Sequence, residues 1–169
     1  MKFRAVMKDP EFMKEFQNII STLSKLTKEC VMKISRDKVY FIANEEFGSS
    51  APMVWVEIST SLYFDEFSME SHKAEDPSIL LIISALNMGR ALGVLRNNAR
   101  YCKMKLTNIQ FPCLSIESDV ISQNSEHSRQ VVHDVPVSVI PRSDWSAYTL
   151  FLHRWLLLCH ELVAASVSD

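Results

Sequence analysis

The amino-acid sequence predicts an α+β fold in which two helices cover one face of a many-stranded, mostly antiparallel sheet. Nine short runs carry the apolar patterns of strands, whereas only two longer runs space their apolar residues as a helix does. The chain has 169 residues, only 3 glycines and no low-complexity stretch. One well-packed domain is therefore expected, without long flexible linkers.

The two predicted helices have clear sequence signals. The first follows Asp9 and Pro10, which suit the cap and the first turn of a helix. It is amphipathic over about five turns. Its apolar positions are Phe12, Phe16, Ile19, Ile20, Leu23 and Leu26. The second predicted helix spans residues 85–97, where Gly89 and Gly93 each weaken it by about 1 kcal/mol relative to Ala.

The predicted strands lie before, between and after these helices. Residues 79–83 form a continuous apolar run, which is typical of a strand that is buried on both faces. Loops rich in polar residues are expected at 44–52 and 71–77. The nine predicted strands are 2–7, 30–35, 38–43, 53–58, 64–69, 79–83, 101–106, 113–118 and 130–135.

The sequence contains no motif of an enzyme or of a metal site. A nucleophile motif, a phosphate-binding glycine loop and a paired zinc-ligand motif are all missing. Cys30, Cys102, Cys113 and Cys159 lack metal-ligand spacing and lie in apolar or alternating runs, which predicts buried free thiols in a reducing compartment. We therefore expect no catalytic activity, no metal and no cofactor. The N-terminus has no signal-peptide pattern, so an intracellular protein is expected.

Charge is unevenly distributed along a chain whose net charge is only −2. Between Glu45 and Asp76 the only base is Lys73, whereas the stretch from Pro77 to Ile116 contains no acidic residue. Segregated charge allows a nearly neutral protein to present a basic face to phosphate groups. The alternative is an ordinary solvated face without a partner. An acidic outer surface is expected on the opposite side of the sheet.

Basic residues on the polar sides of the predicted helices are the candidate nucleic-acid contacts. If both helices lie side by side, these bases form one positive surface. Such a surface would contact DNA phosphates without reading the base sequence. The candidate DNA-facing residues are Lys14, Lys25, Lys28, Arg90 and Arg96.

Several runs resemble one family, and they occur in the same order along the chain. The run at 139–142, followed by Trp145, resembles the entry to that family's interdomain connector. The matching runs are MKFRA at 1–5, KLTKEC at 25–30, FDEFSME at 64–70, KMKLTN at 103–108, FPCL at 111–114, VHDVPV at 132–137 and VIPR at 139–142. Over residues 1–145 the chain thus resembles the Hus subunit of the heterotrimeric DNA-damage checkpoint sliding clamp, whose fold is that of PCNA.

The resemblance implies a non-catalytic subunit of a ring that encircles double-stranded DNA without sequence specificity. Family subunits join two Rad-type clamp subunits head to tail through exposed sheet edges, and helices line the hole. It further implies a nuclear protein that is loaded at damaged DNA by a clamp loader and supports checkpoint signalling and repair enzymes. The residues implied in partner binding by the connector are Val139, Ile140, Pro141 and Trp145.

The resemblance also implies a division of the chain. We expect a first clamp domain at 1–136, the start of the connector at 137–148, and a hydrophobic, helical tail at 149–169 that does not resemble the family. A complete family subunit would continue into a second domain after Trp145. The alternative function is therefore that of a truncated, inhibitory or non-functional form, in which the tail is a protein-interaction module. Charged residues interrupt the tail, so it is not expected to span a membrane.

Overall fold

The computed structural model describes residues 1–43, 54–71, 77–96, 99–121, 128–146 and 148. The chain divides into two compact units, Met1–Val139 and Ile140–Asp169, which are described separately below. The expected tail at 149–169 and the expected loop at 44–52 lie outside the described residues, as does Cys159.

The first unit contains nine strands and three α-helices among the described residues. The helices are α1 (Pro10–Leu26), α2 (Thr60–Tyr63) and α3 (Ala85–Leu92), and a 3₁₀ turn at Gly93–Arg96 continues α3. The strands are β1 (Lys2–Met7), β2 (Glu29–Ile34), β3 (Lys38–Ala43), β4 (Val54–Ser59), β5 (Glu66–Glu70), β6 (Ile79–Ser84), β7 (Ala99–Asn108), β8 (Pro112–Ile121) and β9 (Ser128–Val139).

The strands form one antiparallel sheet in the order β4-β3-β2-β6-β9-β8-β7-β1-β5. The strand β9 joins its two halves. Residues 128–136 pair with β8, whereas Val137–Val139 pair with Ile83–Leu81 of β6. The predicted antiparallel α+β architecture is thus present, and β9 continues three residues beyond the domain boundary expected at 136.

Helix α1 begins where its cap residue predicts. The Asp9 carboxylate accepts hydrogen bonds from the backbone N–H groups of Glu11 (2.8 Å) and Phe12 (3.3 Å), which satisfies two donors of the first turn. The buried side of α1 consists of Met13, Phe16, Gln17, Ile20 and Leu23. The expectation that Leu26 belongs to the apolar face was wrong, because the helix ends there and its side chain is 51% exposed.

A one-turn helix that the sequence did not predict separates β4 from β5. Thr60 anchors this helix, α2: its Oγ1 donates to the Arg36 carbonyl (2.8 Å) and its N–H donates to the Asp37 carbonyl (2.9 Å). Phe64 follows the helix and is buried. The strand expected at 64–69 therefore begins only at Glu66.

The core lies between the helices and one face of the sheet. Alternate strand residues point into it, and the buried face of α1 packs over them. The Phe16 ring meets Phe41 and Phe64 edge to face, with ring centroids 6.1 Å and 6.3 Å apart. Burial of these apolar surfaces fixes the helices on one side of the sheet.

Candidate nucleic-acid interface

Helices α1 and α3 lie side by side and antiparallel, as three contacts show. At the end of α1, the Lys28 carbonyl accepts a hydrogen bond from the N–H of Ala85 (3.0 Å). Further along α3, Gly89 lies against Ser24 of α1. At the end of the following 3₁₀ turn, Arg96 donates from Nε to Oε1 of Gln17 (3.2 Å). The two helices thus form one continuous layer.

All five basic residues that the sequence singled out lie in or beside this layer, and all five are exposed. Lys14 and Lys25 lie eleven residues apart on nearly the same side of α1, which corresponds to about 16 Å along the axis. Lys28 follows the helix, before β2 begins. Arg90 lies in the last turn of α3, and Arg96 ends the 3₁₀ turn.

These bases differ in their surroundings from those bases of the strands that form ion pairs. Among the described residues, none of Lys14, Lys25, Lys28, Arg90 and Arg96 forms an ion pair. The only acidic residues of the two helices are Glu11 and Glu15, at the beginning of α1. The five bases of the helix layer are therefore exposed charges that form no ion pair within the described part of the chain.

The opposite face of the sheet is not simply acidic, contrary to expectation. Its carboxylates face bases on neighbouring strands, because the strand register places opposite charges together. The ion pairs there, or at the strand ends, are Lys2–Glu70 (2.8 Å), Arg4–Glu66 (2.9 Å), Lys8–Glu66 (3.4 Å), Lys38–Glu57 (2.5 Å), Arg100–Asp119 (3.8 Å) and Lys103–Glu117 (3.0 Å). Six bases on the strands or at their ends are thus paired with carboxylates. Lys33, Lys105 and Arg129 of the strands, like the five bases of the helix layer, form no ion pair with a described residue.

The four residues expected at the connector are divided between the end of β9 and the beginning of the second unit. Val139 is the last residue of β9 and pairs with Leu81. The second unit begins with Ile140, which is buried, and Pro141, which is exposed. The Trp145 indole N–H donates to the Ile140 carbonyl (3.0 Å), and the Arg142 guanidinium lies 4.8 Å from the Trp145 ring centroid. A short, internally bonded turn therefore follows β9, and the role of these residues in partner binding stays a prediction.

The hydrogen bond between Gln17 and Arg96 was not predicted from the sequence. Gln17 is only 2% exposed and lies among the apolar residues of α1. The sequence does contain an indication that Gln17 has a special role. It is a polar residue between Phe16 and Ile20, at a position where the helical periodicity requires an apolar one. The partner could not be inferred, because it lies 79 residues away along the chain.

The buried thiols have the properties expected of structural cysteines. Cys30, Cys102 and Cys113 are free and buried, as the sequence predicted. Burial raises the pKa of the Cys30 and Cys102 thiols to about 12, because the charged thiolate is poorly solvated there. Within the described ranges, no group of three His, Cys, Asp or Glu side chains is placed to hold a metal ion. Nor does the described part contain a helix long and apolar enough to cross a membrane.

Comparison with known proteins agrees with this architecture. Residues 1–154 match the family model described as Hus1-like protein. The chain belongs to the Hus1-like family. Its predicted resemblance to the Hus subunit and its α+β, PCNA-like clamp fold are thereby confirmed. The family match extends nine residues beyond Trp145.

Two curated relatives illustrate the extent of the similarity. The Drosophila melanogaster protein named Checkpoint protein Hus1-like is 50% identical over 152 residues, which cover 89% of this chain and 55% of the relative. The Homo sapiens protein named Checkpoint protein HUS1 is 40% identical over 145 residues, which cover 86% of this chain and 51% of the relative. The chain thus spans about half the length of the curated relatives it matches.

Proposed function

We propose that this Hus1-like chain is a non-catalytic subunit of a DNA-damage checkpoint sliding clamp. Its helix layer contacts the phosphate backbone of double-stranded DNA. The observation that carries the proposal is the set of exposed bases on α1, α3 and the 3₁₀ turn, for which the described residues offer no carboxylate partner. Mobile point charges of this kind bind phosphate without reading base edges. DNA binding by this surface is therefore independent of sequence.

The first experiment measures the affinity for a short mixed-sequence DNA duplex at several salt concentrations. The test variant combines Lys14→Ala, Lys25→Ala and Arg90→Ala. Each lost phosphate contact lowers the slope of log K against log salt by about 0.9, so the triple variant loses about 3 units of slope if all three residues contact phosphates. Weaker binding with a shallower slope is the expected result.

The matched control removes three bases from the strands and strand ends. The combination of Lys2→Ala, Lys8→Ala and Lys38→Ala changes the net charge by the same amount, but these lysines pair with Glu70, Glu66 and Glu57. The control should retain most of the affinity and of the slope. Equal losses in both triple variants, or no loss in the first, would contradict the assignment of the helix layer to DNA.

Partner binding is proposed to use the free edge of β9. Residues 128–136 pair with β8 on one side, and among the described strands none pairs with their other side. An unpaired edge of this length is a template for a strand of another chain. We assign it to one of the two Rad-type clamp subunits, in a head-to-tail contact of the kind that closes a ring.

Pro136 indicates which groups point to this edge. Pro136 lies opposite Cys113 of β8 and has no backbone N–H. Proline is tolerated at a strand position where the N–H would point away from the paired strand, here toward the free edge. Because directions alternate along a strand, the N–H groups of Gln130, Val132 and Asp134 point the same way. Val132 is also 53% exposed. It is therefore a position at which the edge can be altered without touching the pairing with β8.

The experiment for the edge is co-purification with the two Rad-type subunits, with and without Val132→Pro. The proline removes one donor from the free edge, so recovery of the partner should fall while the circular dichroism spectrum of the variant is retained. His133→Ala, which alters an exposed side chain but no backbone donor, is the control. Wild-type chain that recovers neither partner would contradict the clamp function itself.

The remaining parts of the proposal follow from the family. Nuclear localisation, loading at damaged DNA by a clamp loader, and support of checkpoint signalling and repair enzymes are proposed on that basis. Imaging of the tagged chain before and after DNA damage tests these points together. The expected result is a nuclear signal that forms foci at lesions, and a signal that stays diffuse or cytoplasmic would count against them.

A further inference from the structure

Gln17 is an unusual residue for the buried side of α1. Its neighbours on that side are Met13, Phe16, Ile20 and Leu23, and Gln17 itself is only 2% exposed. A buried amide is costly unless its polar atoms are hydrogen-bonded. An apolar residue would fill the same position without that cost, so the amide calls for a specific explanation.

The partner of this amide is the Arg96 guanidinium. Arg96 Nε donates to Gln17 Oε1 at 3.2 Å, whereas the Arg96 residue as a whole remains exposed. The bond engages only one nitrogen of a planar group that has five N–H donors. The two terminal nitrogens carry the other four donors, and the described residues provide no carboxylate for them.

A guanidinium held through Nε differs from the other bases of the helix layer. Lys14, Lys25 and Lys28 are flexible ammonium groups that lose rotational freedom when they bind a phosphate. Anchoring Arg96 at Nε fixes the plane of its guanidinium before any ligand arrives. The two terminal nitrogens form the fork that matches two phosphate oxygens, and preorganisation of this kind lowers the cost of binding.

We propose that Gln17 is a positioning residue that holds the Arg96 guanidinium ready for a bidentate contact with a DNA phosphate. Arg96 is then the one preorganised phosphate contact in a layer of otherwise mobile charges. The inference rests on the proposed function, and it adds to that function a residue that itself never touches DNA. A purely structural tether between α1 and the 3₁₀ turn would also use this bond, but it would not require the charge of Arg96.

The experiment compares Gln17→Met, Arg96→Lys, Arg96→Ala and the double variant Gln17→Met/Arg96→Ala. Each is assayed on the short mixed-sequence duplex over a range of salt, and the melting temperature of each is recorded. Gln17→Met retains a long, unbranched side chain and removes the acceptor. Ile20→Val, a buried change on the same side of α1, is the control for lost stability alone.

The positioning role predicts a distinct pattern in these measurements. Gln17→Met should weaken DNA binding several-fold with almost no change in the salt slope, because the charge remains but is no longer oriented. Arg96→Lys should behave in the same way. Arg96→Ala should also lower the slope by about 1, and adding Gln17→Met to it should have no further effect on affinity.

Other outcomes overturn the inference. A Gln17→Met variant that loses thermal stability as Ile20→Val does but binds DNA like the wild type leaves only the structural tether. An effect of Gln17→Met that persists undiminished in the Arg96→Ala background excludes action through Arg96. If DNA binding falls in the Lys14/Lys25/Arg90 variant but not in Gln17→Met, this inference alone fails. If neither variant changes binding, the proposed function fails together with it.

Discussion

Gly89 of α3 lies so close to Ser24 of α1 that a Cβ atom at position 89 would stand 3.3 Å from Ser24 Oγ and 3.4 Å from Ser24 Cβ. This close approach sets the spacing of the two helices that form the basic layer. The Ser24 hydroxyl is itself held by a hydrogen bond to the Ser21 carbonyl (2.8 Å). It therefore cannot turn away without losing that bond.

The contact leads to a prediction about two glycines. Gly93→Ala should stabilise the protein by about 0.5–1 kcal/mol, since its Cβ would meet no atom within 4 Å and the unfolded chain would lose freedom. Gly89→Ala should stabilise the protein less than Gly93→Ala does, or destabilise it, because Ser24 has to shift to accommodate the new Cβ atom. Urea unfolding of both variants measures the difference. An equal gain at both positions would show that the helices separate without cost.

The Glu117 carboxylate predicts a pH dependence of stability. It accepts hydrogen bonds from Lys103 (3.0 Å), the Tyr101 hydroxyl (3.0 Å) and Gln130 (2.6 Å). The hydrogen bond from Lys103 is the main reason that the pKa of Glu117 lies below its usual value. A carboxyl whose pKa is lower in the folded state stabilises the protein above its unfolded-state pKa. That contribution is lost as the pH falls through the folded-state pKa.

Glu117→Gln tests this pH dependence. The variant should be less stable than the wild type near neutral pH, and its stability should fall less steeply between about pH 5 and about pH 3. Urea unfolding at several pH values measures both effects. Glu29→Gln, which alters an exposed carboxylate, is the control. Parallel curves for Glu117→Gln and the wild type would mean that Glu117 does not contribute to acid sensitivity.

Burial of the Cys30 and Cys102 thiols should protect both from alkylation in the native protein. Because burial raises the pKa of Cys30 and Cys102 to about 12, almost no thiolate is present at physiological pH. Iodoacetamide should leave both residues unmodified in the native protein and modify them after unfolding in urea. Peptide mass spectrometry resolves each site. Rapid labelling of Cys102 in the native state would require local opening of the sheet at β7.

The hydrogen bonds of Thr60 allow a prediction of how much the anchoring of α2 contributes to the free energy of unfolding. Its hydroxyl and its N–H both bond to the turn between β2 and β3, and the side chain is buried. Thr60→Val leaves the Arg36 carbonyl without this donor, and we expect a loss of about 1–2 kcal/mol in the free energy of unfolding. Ser61→Ala, on the exposed side of the same turn, should change stability little. Similar losses for both variants would argue against the anchoring role.

The pattern of strands and helices was accessible from the sequence because each element repeats a physical period. Alternation in β7 and helical spacing in α1 both arise from burial of one face, and burial of this kind follows from the local sequence. A single turn such as Thr60–Tyr63 is too short to show a period, so α2 was not predicted. The exposure of Leu26 depends on where α1 stops, and helix ends are the least certain feature of a periodic pattern.

The candidate site was predictable only in part. The exposed bases of the helix layer could be named because they alternate with apolar residues in the sequence. Their lack of carboxylate partners could not, because the pairing of Lys103 with Glu117, or of Lys2 with Glu70, depends on strand register. The bond between Gln17 and Arg96 depends in addition on how two helices pack. Neither relationship exists until the chain has folded.

The double pairing of β9 also governs when the protein can fold during its synthesis. Val137–Val139 reach β6 and residues 128–136 reach β8, so the two half-sheets join only after this late segment has left the ribosome. Pairings between strands distant in sequence form slowly. Until they form, each half-sheet exposes an unpaired strand edge that can associate with other nascent chains. We expect the emerging protein to depend on chaperones until β9 is in place.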